Sequence, residues 1–183
     1  GFPPLKIYGS ALVGGEITLD GGVSSQYISA LMMIAPYMQN GLKLNLTGKV
    51  ISQPYILMTQ SLMQDFGVKV KFDGQCIEIE PQTYIPLRFS VESDWSAASY
   101  WYEILSIMGK GSIVLKGLSQ NSTQGDSKVA ELFEQLGVKT IFLEGAVKLV
   151  PTESNVSKFE FDFVDQPDLA QTFAVSCCLK NIP

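Results

Sequence analysis

Apolar positions in this chain alternate between two periods, and the changes of period mark its elements. After Gly14-Gly15, Ile17 and Leu19 alternate with polar neighbours, which predicts a short strand over Glu16 to Leu19. From Ser24 to Met38 the apolar residues Tyr27, Ile28, Leu31, Met32, Ala35 and Met38 fall at helical spacing, and Gly41 ends that run. Leu42, Leu44 and Leu46 then alternate as a strand with one buried face. Pro54 suits the first turn of a second helix through Ile56, Met58, Leu62, Met63 and Phe66, with Gly67 as its stop. Val68, Val70 and Phe72 alternate up to Asp73-Gly74, and Ile77 and Ile79 alternate after it, a strong hairpin signal.

The resulting order, β-α-β-α-β-β, occurs again. Leu87 to Val91 reads as a strand, and Ser96 to Met108 as a helix apolar almost all round, hence buried. Ile113 to Leu115 is a strand, Gln124-Gly125-Asp126 introduces an amphipathic helix, and Val138 to Leu143 with Val147 to Val150 forms a second hairpin. The helix starts at Ser24, Ser96 and Asp168 recur every 72 residues, and the stop glycines Gly67 and Gly137 lie 70 apart. A third copy begins with Phe159, Phe161 and Phe163 alternating as a strand, starts its helix at Pro167-Asp168 and is cut short. Pro86 forces extended geometry on Ile85, so the boundary is read there, with one unit over 1–85 and another over 86–183. The fold class is α/β.

Composition narrows the function. The 183 residues carry a net charge of −5, which argues against nucleic acid or an anionic membrane as partner. No apolar run is long enough to span a membrane and no basic-headed signal peptide is visible. Gly1 in place of a Met suggests a piece of something longer. Cys76, Cys177 and Cys178 lack metal-ligand spacing and suit a reducing cytoplasm. Asn-x-Ser/Thr matches at Asn45, Asn121 and Asn155 have meaning only for a secreted chain. There is no histidine, and Arg88 is the only arginine, so an acid–base triad is excluded and most cations for anionic substrates must come from elsewhere. No phosphate-binding glycine motif follows a strand. Glu16, Asp20, Asp65, Asp73 and Glu78 read as solvated faces or turn formers.

Small polar residues instead gather at helix starts, where unpaired N–H groups and the dipole favour an anion. These are Ser24-Ser25-Gln26, Ser52-Gln53-Pro54-Tyr55, Asn121 through Asp126, and Asp168. Each taken singly is an ordinary helix cap. Together, the VSSQY run, S-x-PYI-xxT ending in FGV, Asp94 through Tyr100, NSxQGD with LGV, and PD-x-A-x-T resemble the 5-enolpyruvylshikimate-3-phosphate synthase family over essentially the whole chain.

That resemblance implies an inside-out α/β barrel of two lobes, each built from three β-α-β-α-β-β units. It implies transfer of the enolpyruvyl group of phosphoenolpyruvate to the 5-hydroxyl of shikimate 3-phosphate, through a tetrahedral adduct, with release of phosphate and with no metal or organic cofactor. By matching motif, Ser24, Ser25 and Ser52 would hold the shikimate 3-phosphate anion, Gln26 would reach the ring and the pyruvyl moiety, and Tyr55 would pack on the ring. Asp168 would take the 5-hydroxyl proton, its charged form favoured by a helix start. The NSTQGD run is read as structural, with Asp126 as a cap.

The chain also departs from the family. Gln53 replaces a basic residue, Leu57 an acid, and Trp95 and Ala97 smaller or hydroxylic residues. The family's lysine-serine-arginine motif, its glycine-threonine-arginine loop and its C-terminal asparagine, lysine, glutamate and arginine residues have no counterpart. The chain therefore reads as a central piece: the last unit of one lobe, the first unit of the other and part of the next. Such a piece is expected to be catalytically inactive. The alternatives are a non-catalytic repeat module that self-associates, and a piece of the related UDP-N-acetylglucosamine enolpyruvyl transferase.

Overall fold

The computed structural model describes residues 3–154 and 156–183, so the glycosylation match at Asn155 lies outside the described residues. The chain divides into two compact units. One comprises the described residues through Ile51 with Thr59–Leu87, and the other Ser52–Met58 with Arg88–Pro183.

In the first unit the strands are β1 (Gly15–Asp20), β2 (Leu42–Thr47), β3 (Lys71–Phe72) and β4 (Cys76–Ile79), and helix α1 spans Ser25–Ile34. Helix α2 (Gln53–Asp65) gives its residues from Thr59 onward to this unit and those through Met58 to the other. The sheet order is β1-β2-β4-β3, with β1 and β2 parallel and the remaining pairs antiparallel. A parallel pair requires a crossover, and α1 supplies it. Leu42, Leu44 and Leu46 are buried as their alternation requires, opposite Ile79 and Ile77 on β4. Asp73 makes the hairpin turn, its Oδ1 accepting the N–H groups of Gln75 (2.9 Å) and Cys76 (2.7 Å). The helical pattern from Ser24 stops earlier than the sequence suggests. Pro36 cannot donate into an α-helix, and residues Ala35–Tyr37 tighten into a 3-10 turn.

The second unit holds α3 (Trp95–Met108), β5 (Ile113–Lys116), α4 (Val129–Gln135), β6 (Val138–Leu143), β7 (Ala146–Pro151) and α5 (Ala170–Leu179). Its sheet runs β5-β7-β6, antiparallel throughout. Asp94 caps α3 by accepting from Ser96 N–H (2.8 Å) and Ala97 N–H (3.3 Å), and left-handed Gly109 closes it. Trp95, Tyr102 and Leu105 of α3, Phe133 and Leu136 near α4, and Phe173 of α5 are fully or almost fully buried in one core.

Three sequence expectations fail after Pro86. Leu87 to Val91 forms no strand, and Leu87, Phe89 and Val91 are exposed. The Phe159, Phe161, Phe163 alternation is not a strand either. These rings pack as a cluster, Phe159 stacked on Phe173 at 5.1 Å, Phe163 tilted against Phe173 at 5.4 Å, and Phe161 edge-on to Phe163 at 4.9 Å. Nor is α3 buried all round, because Tyr100, Trp101, Ile104, Ile107 and Met108 leave an apolar face exposed in this chain.

Candidate functional site

The hydroxyl run at the start of α1 lies in the first unit. Ser24 is the N-cap and its Oγ accepts from Gln26 N–H at 3.4 Å, so the ordinary capping role is real. Ser24 and Gln26 are exposed, while Ser25 is buried in the first turn.

The second unit brings Ser52, Tyr55 and Asp168 together. Ser52 directly precedes α2, and its N–H donates to Val164 C=O at 3.2 Å, joining it to the segment that leads to Asp168. Its φ of 53° lies in the left-handed region, where a Cβ is disfavoured. Its side chain makes no hydrogen bond among the described residues, while its backbone is held by the Val164 bond and by Tyr55 N–H donating to its C=O at 3.1 Å. One turn on, the Tyr55 hydroxyl lies 3.0 Å from Asp168 Oδ2 and 3.2 Å from Asp126 Oδ2. Burial, and then the two carboxylates, push the Tyr55 phenol well above its ordinary value, so it is a neutral hydroxyl at any working pH. Asp168 sits exposed in the 3-10 turn Pro167–Leu169 that leads into α5.

Asp126 does not cap a helix. It lies inside a 3-10 turn (Gly125–Lys128) whose cap position is Gln124, and it is 2% exposed. Its Oδ2 also meets the Ser96 hydroxyl, and its Oδ1 has no hydrogen-bond partner among the described residues. Burial pushes its acidity to higher pH, with nearby Asp168 and Asp94 adding to the effect, while the hydrogen bonds from Ser96 and Tyr55 oppose it. Gly125 is required where it stands, since a Cβ there would lie 2.5 Å from Pro54 Cβ. That close approach sets the turn carrying Asp126 against the first turn of α2.

The NSTQGD run is organised by Glu92, which sequence reasoning missed. Glu92 Oε1 accepts from Trp95 Nε1–H (3.0 Å) and Ser119 N–H (2.8 Å). Its Oε2 accepts from the Ser122 hydroxyl (2.6 Å) and Gln124 Nε2–H (3.1 Å). Gln124 in turn accepts from Trp95 N–H at 2.9 Å, fixing the loop to the start of α3. Ser96, read from the sequence as a helix start, lies in the first turn of α3, whose cap is Asp94. Among the described residues, no group of three or more His, Cys, Asp or Glu could hold a metal ion. No helix among them is long and apolar enough to cross a membrane.

A family model described as EPSP synthase (3-phosphoshikimate 1-carboxyvinyltransferase) matches residues 1–182. A 3-phosphoshikimate 1-carboxyvinyltransferase of Bacteroides fragilis is 53% identical over 184 residues, covering all of this chain and 45% of the relative. The protein of the same name from Idiomarina loihiensis is 40% identical over 186 residues, covering all of this chain and 43% of its own length. The chain thus spans under half the length of these curated relatives. An EPSP synthase structure from Acinetobacter baumannii superposes with a TM-score of 0.60 at 20% identity, over 90% of this chain and 37% of that one, which establishes a shared α/β fold. With a family match running almost from end to end, the chain belongs to the EPSP synthase (3-phosphoshikimate 1-carboxyvinyltransferase) family.

Proposed function

We propose that this chain is the central part of a shikimate-pathway transferase that moves the enolpyruvyl group of phosphoenolpyruvate onto the 5-hydroxyl of shikimate 3-phosphate and releases phosphate. In this reading residues 1–85 are the last repeat unit of one lobe, and residues 86–183 the first unit and part of the next of the other lobe. Ser24, Ser25 and Ser52 hold the shikimate 3-phosphate anion, Gln26 reaches its ring and the pyruvyl group, and Tyr55 flanks the ring. Asp168, exposed and accepting from a neutral phenol, takes the proton that leaves the 5-hydroxyl as its oxygen bonds to the enolpyruvyl carbon. The enzyme works in the cytoplasm, which its three free thiols suit.

The observation that carries this reading is Ser52. A serine held at φ 53° whose hydroxyl makes no hydrogen bond among the described residues is best explained by a partner outside the chain. The chain alone turns nothing over, because Arg88 is its sole arginine and two anionic substrates would go unscreened. Titrating shikimate 3-phosphate into the labelled chain tests this. Weak binding that moves the amide signals of Ser24, Ser25 and Ser52, with no phosphate release when phosphoenolpyruvate is added, supports it. Turnover above that of an Asp168→Ala variant, or shifts confined to other residues, refutes it.

One observation favours a second property, self-association. Tyr100, Trp101, Ile104, Ile107 and Met108 form a contiguous exposed apolar face on α3. Light scattering across a dilution series should show mass rising with concentration. A constant monomer mass would dismiss the idea.

A further inference from the structure

We propose that Asp126 is a positioning residue for Asp168, held as a neutral carboxylic acid that donates to the Tyr55 oxygen and so commits the phenol hydrogen to Asp168. The inference rests on reading Asp168 as the base of the proposed reaction.

The argument is a count of hydrogens. Tyr55 carries one hydroxyl hydrogen, yet its oxygen lies within hydrogen-bond distance of two carboxyl groups, at 3.0 Å and 3.2 Å. If both were ionised, one carboxylate oxygen would face the phenol oxygen with no hydrogen between them. A second proton removes that conflict, and solvation decides where it resides. Asp168 is exposed, whereas Asp126 is 2% exposed with one oxygen lacking any partner among the described residues. An ionised carboxylate with a bare buried oxygen is the costlier arrangement, and a neutral acid with a bare carbonyl the cheaper. The titratable groups that face Asp126 reinforce this. Asp168, ahead of α5, and Asp94, at the start of α3, are both acids, and Tyr55 of α2 is neutral. With the proton on Oδ2, Asp126 donates to Tyr55, Tyr55 donates to Asp168, and the Ser96 hydroxyl still donates to Asp126 Oδ2. The Asp126, Tyr55 and Ser96 hydroxyls then all have acceptors, and Asp168 is aimed by a one-way chain from the core.

The test uses the whole chain with aspartate carboxyl carbons labelled by 13C and followed by NMR from pH 4 to 8. Asp126→Asn and Asp168→Asn variants assign the signals. The Asp126 carbon should stay in the protonated position at pH values where a solvated aspartate, of pKa about 3.9, is already ionised. An asparagine can replace a neutral acid as donor to Tyr55, so the Tyr55 Cζ signal should hold in Asp126→Asn and move in Asp126→Ala. An Asp126 carbon already ionised near pH 4 overturns the proposal, as does a Tyr55 signal displaced equally in both variants. Should Asp126→Ala fail to fold, the wild-type titration decides alone. These readouts need no substrate. A neutral Asp126 in a chain that ignores shikimate 3-phosphate would sink the functional reading and leave the hydrogen-bond arrangement standing.

Discussion

Replacing Ser52 by glycine and, separately, by alanine distinguishes a residue kept for its fold from one kept for its ligand. Both variants lose the same idle hydroxyl, so the difference between them isolates the Cβ. At φ 53° a Cβ in the left-handed region costs about 1–2 kcal/mol. Glycine avoids that cost but gives back about 0.5–1 kcal/mol through its greater freedom in the unfolded chain. The glycine variant should therefore be more stable than the alanine variant by about 0.5–1 kcal/mol, and alanine should stay within about 0.5 kcal/mol of wild type. For a chain of this length 1 kcal/mol corresponds to about 2–4 °C in Tm, so Ser52→Gly should melt about 1–4 °C above Ser52→Ala. Urea unfolding monitored at both the helical and aromatic bands gives the comparison, and coincident transitions license a single free energy. Both variants should lose shikimate 3-phosphate binding together. If glycine is less stable than alanine, the strain argument fails. If either variant binds as wild type does, the hydroxyl is not the phosphate contact.

Three further outcomes follow from the same geometry. Phe173→Ala removes a ring packed on Phe133 at 4.3 Å and on Phe159 and Phe163, and should destabilise the second unit by about 3–5 kcal/mol in urea titrations. Gly125→Ala forces a methyl against Pro54, costs about 1–3 kcal/mol, and should move the Tyr55 ring signals, while alanine at the open Gly145 leaves them in place. The raised acidity range of Asp126 gives the stability of the second unit a definite sign with pH. The folded state holds the proton longer than the unfolded chain, so the contribution is full below the ordinary aspartate value of about 3.9 and is lost as pH rises through the folded value. Urea midpoints at successive pH values should show that decline in wild type and not in Asp126→Asn.

The parts of this fold that the sequence revealed are those with local causes. Leu42, Leu44 and Leu46 alternate because one face of β2 is buried, and Asp73-Gly74 makes its turn with its own side chain. The failures share a different origin. Leu87 to Val91 and Phe159 to Phe163 alternate as strands do, but a strand also needs an edge to pair with, and alternation carries no information about that edge. Phe159 and Phe163 instead meet Phe173 on α5, and Phe161 packs edge-on to Phe163. Asp126 was misread for a related reason. A Gly-Asp pair ahead of an apolar helix suggests a cap, yet its carboxyl is claimed by Ser96 and Tyr55, which lie 30 and 71 positions away. Pro36 was visible in the sequence and should have shortened α1. Ser52 was found by motif, but its backbone conformation was not legible, because nothing local obliges a serine to become left-handed.

The two tryptophans of the chain both lie on α3, and their surroundings could hardly differ more. Trp95 is 0% exposed, with its indole N–H held by Glu92, whereas Trp101, less than two turns later, is 48% exposed on the bare apolar face. Helix α3 therefore carries an internal standard and a sensor for fluorescence. Anything that settles on that face should shift Trp101 emission to shorter wavelength and shield it from acrylamide, while the emission of Trp95 stays constant, so occupancy can be followed without attaching a dye.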